Sequence, residues 1–403
     1  MQIPFSPPFI DAEVEAEVLD ALRSGWITTG PKVKALEELV SNYAGVEASL
    51  GVNSATSAMM LALHWFGIGR GDEVIIPAYT YCATALVVMH IGATPVMVDI
   101  EDDFNISIQN IKAAITDKTK AIIPVDFAGW PCNYDAINAL VNEEEIKRKF
   151  IPKGEQQEIL GRILIMSDAA HSFGAMYNNK KMGTCADITV FSFHAVKNLT
   201  TAEGGIICLN MPTPFNNNEV YKTLRLWSLN GQTKDAFTKS KSGGWRYDIV
   251  YPGFKMNLPD VLAAIGLAQI RKYDDQLLQE RKRIFDFYNE RFASLSWAQI
   301  PPYTKQGNET SYHLYPLRIK NITEETRDAI IEAITKTGVA VNVHFQPLPL
   351  LTVFKQKGFD INDYPKAYDN YSREISLPIY PQLNNIQCQY IVDNVTTAVQ
   401  ATM

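Results

Sequence analysis

Short apolar segments alternate with longer helix-like segments along the first half of the chain. The short segments, each closed by polar or small residues, predict buried strands at 73–77, 95–99, 120–125, 163–167, 188–193 and 205–209. The longer segments predict helices at 54–66 and 82–91. Strands that alternate with helices are typical of an α/β fold, with a mostly parallel central sheet flanked by helices.

The pattern changes in the last third of the chain. The predicted elements there are one or two long helices at 259–294, strands at 314–319 and 339–345, and a helix at 323–336. Pro259 stands where the first turn of a helix tolerates proline. This mixture predicts a smaller α+β domain at the C-terminal end. A charged segment at 138–160 predicts a surface helix and loop without site residues.

Composition and charge exclude several classes of function. The chain has 403 residues, 46% hydrophobic and 20% charged, which is ordinary for a globular protein with one large and one small domain. The net charge of −7 gives no reason to expect nucleic acid or an anionic membrane as a partner. Five cysteines without a CxxC pair suit the reduced thiols of a cytoplasm, and six scattered histidines predict no metal site.

The stretch from Ile75 to Val98 contains no Asp, Glu, Lys or Arg and is long enough to raise the question of a membrane span. It also contains Pro77, Gly92 and Pro95, and its pattern changes twice. We therefore expect a buried strand, a helix and a second buried strand. The N-terminal residues lack the basic-then-apolar order of a signal peptide, so we expect a cytoplasmic location.

Two residues that follow predicted strands suggest chemistry. Asp168 ends one strand, at the sheet edge where ligands bind in open α/β folds, and its carboxylate could accept a hydrogen bond from a cationic ring nitrogen. An aspartate there can equally bind the amides of a turn. Lys197 follows the strand at 188–193, and desolvation there would favour the neutral amine that a Schiff base requires. The alternative is an ordinary surface lysine.

Three further features are ambiguous when taken singly. Residues 51–58 (GVNSATSA) open an apolar helix whose first N–H groups could bind phosphate, but N-capping by Ser54 or Thr56 explains them equally well. Ser192, shortly before the lysine, could donate to such a phosphate. An aromatic residue of 77–81 (PAYTY) could stack on a flat ring or simply pack in the core.

In this chain order, the features together resemble fold-type I pyridoxal-phosphate (PLP) enzymes, and most closely the DegT/DnrJ/EryC1/StrS family of sugar aminotransferases. The resemblance covers nearly the whole chain and rests above all on FSFHAVKNLTTAEGG, the block around the lysine. Other matching blocks are SGWITTGPKVKALEE, GVNSATSAMMLAL, GDEVIIPAYTYCATA, SDAAHSFGA and YPGFKMNLPDVLAAIGLAQI. The resemblance implies a large PLP-binding domain over 1–256 and a small C-terminal domain over 257–403.

Carried over position by position, the resemblance implies that Lys197 holds the cofactor as a Schiff base. It also implies that Asp168 keeps the pyridine nitrogen protonated, so that the ring can accept electrons. His171 matches the polar residue beside the phenolic oxygen, and Tyr81 matches the aromatic that stacks on the ring. The expected phosphate ligands are the Ser192 hydroxyl and the backbone N–H groups of Ala55 and Thr56.

The segment 253–257, Gly-Phe-Lys-Met-Asn, resembles the loop that reaches the phosphate of the neighbouring subunit. It therefore implies a homodimer with shared active sites. Many family members have Gly-Tyr-Asn-Tyr-Arg at these positions, so the contact could come from either Lys255 or Asn257.

Three other positions depart from the family pattern. Asp126 and Pro349 stand where many members have histidine, and Tyr368 stands where they have glutamate. In the family these regions bind the sugar or the amino donor. We therefore expect the departures to bear on the substrate and to leave the cofactor chemistry unchanged.

The resemblance implies an aminotransferase that takes an amino group from an amino acid, by family analogy glutamate. The group would pass through pyridoxamine phosphate (PMP) to a keto sugar linked to a nucleotide diphosphate. A keto-cyclitol acceptor is an alternative. Sugar dehydratases of the family carry histidine in place of the lysine, so Lys197 argues against that reaction. A non-catalytic regulatory relative is the alternative from another class, and the intact set of Asp168, His171 and Lys197 argues against it.

Overall fold

A computed structural model describes residues 1–234 and 246–403 of the chain. The strands are β1 (Ala48–Val52), β2 (Glu73–Pro77), β3 (Thr94–Val98), β4 (Thr119–Ile122), β5 (Leu164–Asp168), β6 (Met176–Tyr177), β7 (Lys180–Lys181), β8 (Ile188–Ser192), β9 (Gly205–Leu209), β10 (Ala298–Gln299), β11 (Thr304–Lys305), β12 (Asn308–Glu309), β13 (Tyr315–Ile319) and β14 (Glu374–Leu377). The α-helices are α1 (Ala12–Arg23), α2 (Pro31–Ala44), α3 (Ala55–Trp65), α4 (Ala83–His90), α5 (Ile108–Ala114), α6 (Tyr134–Asn142), α7 (Glu144–Lys149), α8 (Glu155–Leu160), α9 (Asn217–Ser228), α10 (Asp260–Ile270), α11 (Leu278–Phe292), α12 (Glu324–Lys336), α13 (Thr352–Lys355), α14 (Pro365–Arg373) and α15 (Asn385–Thr402). Short turns of other helix types lie at Phe127–Gly129, Tyr273–Leu277, Leu348–Leu350 and Ile361–Asp363.

Within the described residues, seven strands form the central sheet, in the order β1-β9-β8-β5-β4-β2-β3. Pairing is parallel from β8 through β3, and β9 runs antiparallel to both of its neighbours. The prediction of an α/β fold with a mostly parallel central sheet is confirmed. Because β9 runs in the opposite direction, its first residue lies at the same sheet edge as the last residues of β5 and β8.

Both faces of the central sheet are covered, which explains why its strands are apolar throughout. Side chains alternate between faces along a strand, so neighbouring residues enter different cores. In β2, Ile75 packs in a core that includes Leu36 of α2, whereas Val74 and Ile76 pack in one that includes Met59 of α3.

The C-terminal part is built around a three-stranded antiparallel sheet, β10-β13-β14. One predicted strand in this part, at 339–345, is wrong. Only single bridges form there, joining Val339 to Ile3 and Asn342 to Ser376. This segment runs outside the sheet and ends at the cavity described below, which His344 and Phe345 line.

The predicted division into two domains at 256/257 stays a prediction. Helix α10 follows that boundary and packs against α1 and α2, beside the large sheet, while the three-stranded sheet begins later. Residues 235–245, which fall in the first predicted domain, lie outside the described residues.

The charged segment at 138–160 forms the end of α6 and two short helices, α7 and α8. It is anchored to the rest of the fold by buried contacts. Gln157 is buried and donates to the Phe66 carbonyl oxygen at 3.0 Å. The Lys153 Nζ atom lies 2.6 Å from the buried carboxylate of Asp72. The segment therefore packs as part of the fold, and its residues do not line the cavity described below.

The uncharged stretch from Ile75 to Val98 comprises the end of β2, helix α4 and β3, as the sequence predicts. Among residues 1–234 and 246–403, the helices do not combine the length and the apolar character that crossing a membrane requires.

Candidate active site

A cavity of about 460 Å³ lies beyond the sheet edge at which β1, β2, β5 and β8 end. In open α/β sheets, ligands bind at this edge, and its volume is typical of a small-molecule site. Seven of the nine predicted site residues line this cavity: Ala55, Thr56, Tyr81, Asp168, His171, Ser192 and Lys197. The fold thus brings together residues that are spread over more than a hundred positions of the chain.

Asp168, the last residue of β5, is almost fully buried at the cavity wall. Its carboxylate accepts hydrogen bonds from the Thr84 hydroxyl at 2.8 Å and the Ala170 amide at 3.3 Å. Burial raises the pKa of Asp168 above its usual value, although both hydrogen bonds and the nearby Lys197 oppose the rise. Thr84, which the sequence did not single out, is itself bonded to Thr80 at 2.9 Å and therefore holds the carboxylate in place.

Lys197 follows β8 by five residues and lines the same cavity. Burial of its amine lowers the pKa of Lys197 to about 8, although the charge of Asp168 opposes the shift. More of the amine is therefore neutral near physiological pH than for an ordinary lysine. A neutral, positioned amine can act both as a nucleophile and as a general base.

The first turn of α3 also lines the cavity. Ser54 caps this helix, accepting from the Ser57 amide at 3.1 Å, which leaves the first N–H groups, those of Ala55 and Thr56, directed out of the helix. Ser192 reaches the same place because it pairs with Gly205 across β8 and β9. A side chain at Gly205 would collide with the backbone of Ser54 and Ala55, so glycine permits this close approach.

Aromatic and imidazole rings form the side walls. Tyr81 is 59% exposed, and its ring lies 5.8 Å from that of Phe345. The Ala128 amide donates to Nδ1 of His171 at 3.2 Å, so the His171 proton is on Nε2. Burial and the neighbouring Lys197 hold the pKa of His171 well below its usual value, and the ring therefore stays neutral.

Two of the other histidines that line the cavity, His313 and His344, were missed in the sequence. The His313 ring lies 4.4 Å from that of His171, and its Nδ1 is 2.8 Å from the Asn198 side-chain oxygen. His313 lies in a loop far along the chain, outside any local motif, so no signal in a single sequence could have placed it here. His344 lies in VHFQPL (343–348), a block that also resembles the family, although the resemblance assigned it no role.

Lys255 and Asn257 are not among the described residues that line this cavity. Their segment lies beside the end of β1, where Asn257 bridges to Val52 and donates to the Thr29 hydroxyl at 2.6 Å. Lys255 is exposed and donates to the side chain of Asn257. The predicted role of Lys255 and Asn257 in holding the cofactor therefore stays a prediction.

The three family departures also lie outside the described cavity lining, and the expectation that they bear on the substrate stays a prediction. Asp126 is fully buried and accepts from the Cys132 amide at 2.9 Å and the Tyr134 hydroxyl at 2.8 Å. Burial raises its pKa to about 6. Pro349 is buried in a short turn, and Tyr368 is on the surface of α14, 3.0 Å from Glu324.

The donors and acceptors of the cavity match PLP. The Asp168 carboxylate suits a protonated ring nitrogen, the N–H groups of α3 and the Ser192 hydroxyl suit a phosphate, and the Lys197 amine suits an aldehyde. The exposed ring of Tyr81 and the neutral His171 provide the walls that a flat ring with a phenolic oxygen would contact.

Comparison with known proteins points in the same direction. A model of the DegT/DnrJ/EryC1/StrS aminotransferase family matches residues 8–149 and 157–396. The spore coat polysaccharide biosynthesis protein SpsC of Bacillus subtilis is 34% identical over 403 residues, covering 99% of this chain and 97% of that protein.

Solved structures of similar proteins match the fold of this chain over its whole length. A putative sugar aminotransferase from Streptococcus pneumoniae in its PMP form is 45% identical with a TM-score of 0.96, covering 100% of both chains. Its PLP form is 43% identical with a TM-score of 0.95 at the same coverage. Helicobacter pylori PseC, an aminotransferase involved in the biosynthesis of pseudoaminic acid, is 29% identical with a TM-score of 0.86, again covering 100% of both chains.

Proposed function

Because the chain belongs to the DegT/DnrJ/EryC1/StrS aminotransferase family, we propose that it moves an amino group from an amino acid to a keto sugar linked to a nucleotide diphosphate, with PLP as its cofactor. The observation that carries the proposal is the cavity that the Lys197 amine lines together with a buried carboxylate and an open helix N-terminus. A non-catalytic relative would not need a lysine whose pKa is lowered to about 8.

When bound, PLP supplies the electron sink that stabilises negative charge at the substrate carbon. The Lys197 Nζ atom would hold the cofactor and, once an amino acid had displaced it, would act as the general base and acid that moves the α-carbon proton of the donor. The Asp168 carboxylate, fixed by Thr84 and Ala170, would keep the ring nitrogen protonated. The Nε2–H group of His171 would be available to donate to the phenolic oxygen.

Gly205→Ala should weaken the binding of PLP by at least about tenfold, because an added Cβ would push the first turn of α3 away from Ser192 and cost one or more charge-assisted hydrogen bonds to the phosphate. Titration of the apoenzyme with PLP, followed by absorbance, measures the effect. Gly154→Ala is the matched control, since nothing lies within 4 Å of an added Cβ there. Equal affinities for both variants would argue against a phosphate site at this helix.

A sugar acceptor is supported by the relatives. The S. pneumoniae protein is described as a putative sugar aminotransferase, and SpsC and PseC are named for the biosynthesis of a polysaccharide and of pseudoaminic acid. Glutamate as the donor and the nucleotide carrier rest on the family analogy. The test is transfer of nitrogen-15 from labelled glutamate to nucleotide-linked keto sugars, read by mass spectrometry. If the label reached only a keto-cyclitol, the acceptor proposed here would be wrong.

We further propose that two copies of the chain share their active sites. Among the described residues that line the cavity, Lys197 is the only lysine or arginine, so the charge of a nucleotide diphosphate has to be met from elsewhere. The segment with Lys255 and Asn257 is supported as a contributor because it lies outside the lining of its own cavity.

Mixed dimers test this arrangement. If the sites are shared, mixing inactive Lys197→Ala subunits with inactive Asn257→Ala subunits should restore activity, because each heterodimer assembles one intact site. The same mixture with Lys255→Ala tells which of the two residues makes the contact. If neither mixture regains activity while both variants remain dimeric, these residues do not serve the partner subunit.

A further inference from the structure

The His344 ring lines the cavity and has one nitrogen engaged and one available. Its Nδ1 atom lies 2.9 Å from the Ser376 hydroxyl, whereas Nε2 has no hydrogen-bond partner among the described residues. The ring is held from both sides, stacked at 5.4 Å on Phe5 and edge-on at 5.1 Å to Phe345. Its backbone is fixed as well, because the Tyr79 hydroxyl donates to the His344 carbonyl at 2.5 Å.

Behind His344 the hydrogen bonds continue into the protein. Ser376 is fully buried on β14, and its Oγ lies 2.5 Å from Oε1 of Glu374, on the same face of the strand. The other carboxyl oxygen of Glu374, Oε2, accepts from the His344 amide at 3.0 Å. Glu374 is therefore linked to His344 twice, once through the backbone and once through the Ser376 hydroxyl.

A hydroxyl between two partners donates to only one of them at a time. When Glu374 is ionised, Ser376 donates to it and accepts from Nδ1–H of His344, so that Nε2 is an acceptor towards the cavity. When Glu374 is protonated, its O–H donates to Ser376, Ser376 donates to Nδ1, and the His344 proton moves to Nε2. The two states present opposite hydrogen-bonding groups to the cavity.

We propose that Glu374, acting through the Ser376 hydroxyl, sets which nitrogen of His344 carries the proton, and so whether His344 offers a donor or an acceptor to the substrate. Glu374 is thus a positioning residue that does not itself touch the substrate. The inference rests on the proposed function, since the cavity is the proposed site of transfer.

The charged and titratable groups around Glu374 allow such a switch. Burial raises the pKa of Glu374 to about 8, although its bonds to Ser376 and His344 and the charges of Arg327 and Arg318 oppose the rise. The remaining titratable group that faces Glu374 is the Tyr79 hydroxyl, whose own pKa is raised by burial.

His344 itself stays neutral over the same range. Burial and the nearby Lys197 lower its pKa to about 3. The other titratable groups that face it are His171 and His313, which are also held neutral by burial. A neutral imidazole carries one ring proton, so the only freedom left to His344 is the choice of nitrogen.

Glu374→Gln fixes one of the two states. The amide oxygen of glutamine has to replace Oε2, because the His344 amide needs an acceptor. The NH₂ group then replaces Oε1 and donates to Ser376, as the protonated carboxyl does. The variant should therefore keep the His344 proton on Nε2 at every pH.

The experiment reads the His344 tautomer by nitrogen-15 NMR of the ring in the full-length PLP-loaded protein, from below to above pH 8. The His344 signal is assigned by its loss in His344→Gln. In the wild type, the proton should move from Nε2 to Nδ1 as the pH passes the pKa of Glu374, about 8. In Glu374→Gln it should stay on Nε2, and in Ser376→Ala the pH dependence should vanish.

Glu37→Gln is the matched control, since Glu37 is another fully buried carboxylate, bonded to Gly51 and Tyr221 outside the cavity lining. It should leave the His344 titration unchanged. A wild-type tautomer that does not respond to pH, or a Glu374→Gln variant that titrates like the wild type, would overturn the proposal. Because the reading does not require turnover, its failure is distinguishable from a failure of the aminotransferase assignment.

Discussion

Replacing Lys197 by alanine is expected to abolish amino transfer, with a loss in kcat of about 10⁴-fold or more, because the variant loses both the covalent anchor of the cofactor and the general acid–base group. No other lysine or arginine lines the described part of the cavity to take over either task. The measurement is the single-turnover rate with glutamate, together with the visible spectrum of the purified protein in PLP. The absorption band of the lysine-bound cofactor should be present in the wild type and absent from the variant.

The control for this substitution is Lys181→Ala. Lys181 pairs with Asp274 at 2.8 Å and is likewise partly buried, but it lies outside the cavity lining. Its variant should keep both the band and the rate, and the melting temperatures of the two variants establish that both fold. A Lys197→Ala protein that still turned over glutamate at a rate close to that of the wild type would remove Lys197 from the reaction.

Asp168→Asn is expected to reduce the rate of transfer roughly 10²- to 10³-fold, the range found when one preorganised electrostatic partner of a transition state is removed. Asparagine has nearly the same shape: its amide oxygen can still accept from the Ala170 amide, while its NH₂ group can donate to the Thr84 hydroxyl oxygen. It has no charge, however, and so cannot hold a proton on the cofactor ring. The lysine-bound band should therefore form while its reaction with glutamate, followed by stopped-flow absorbance, becomes slow.

Two further variants distinguish this role from a structural one. Thr84→Val removes one hydrogen bond that lowers the pKa of Asp168, and should cost about tenfold in rate, less than the loss of the charge itself. Asp126→Asn changes another buried carboxylate near the same sheet edge, outside the cavity lining, and should have a small effect on rate. If Asp126→Asn were as slow as Asp168→Asn, the losses would reflect disturbed packing at this edge.

Much of the large sheet could be predicted from the sequence, because strands buried on both faces consist of continuous runs of apolar residues. The predicted strands at 73–77 and 205–209 coincide with β2 and β9 to the residue. The segment at 339–345 has the same apolar character and forms no strand, since its backbone is used to bring His344 to the cavity. Local pattern does not encode which apolar segments pair.

The cavity residues likewise divide into those that the sequence could predict and those that it could not. Asp168 and Ser192 each end a strand and Lys197 follows one by five residues, so the direction of a parallel sheet brings their positions together. Thr84 and His313 have no such local signal. Thr84 resembles any threonine early in a helix, and His313 reaches the cavity only through the packing of the C-terminal part of the chain. Glu374 has no local signal in the sequence either, and only the structure reveals that it is buried and bonded to the His344 amide.

Amino transfer through this cavity is tested most directly by one spectroscopic titration of the PLP-loaded wild-type protein. Glutamate should bleach the visible band of the lysine-bound cofactor, and a nucleotide-linked keto sugar added afterwards should restore it as the amino group leaves. Both changes, repeated over several cycles, would establish transfer through this cavity. A band that ignores glutamate and other amino donors, or one that never forms in the wild type, would contradict the assignment.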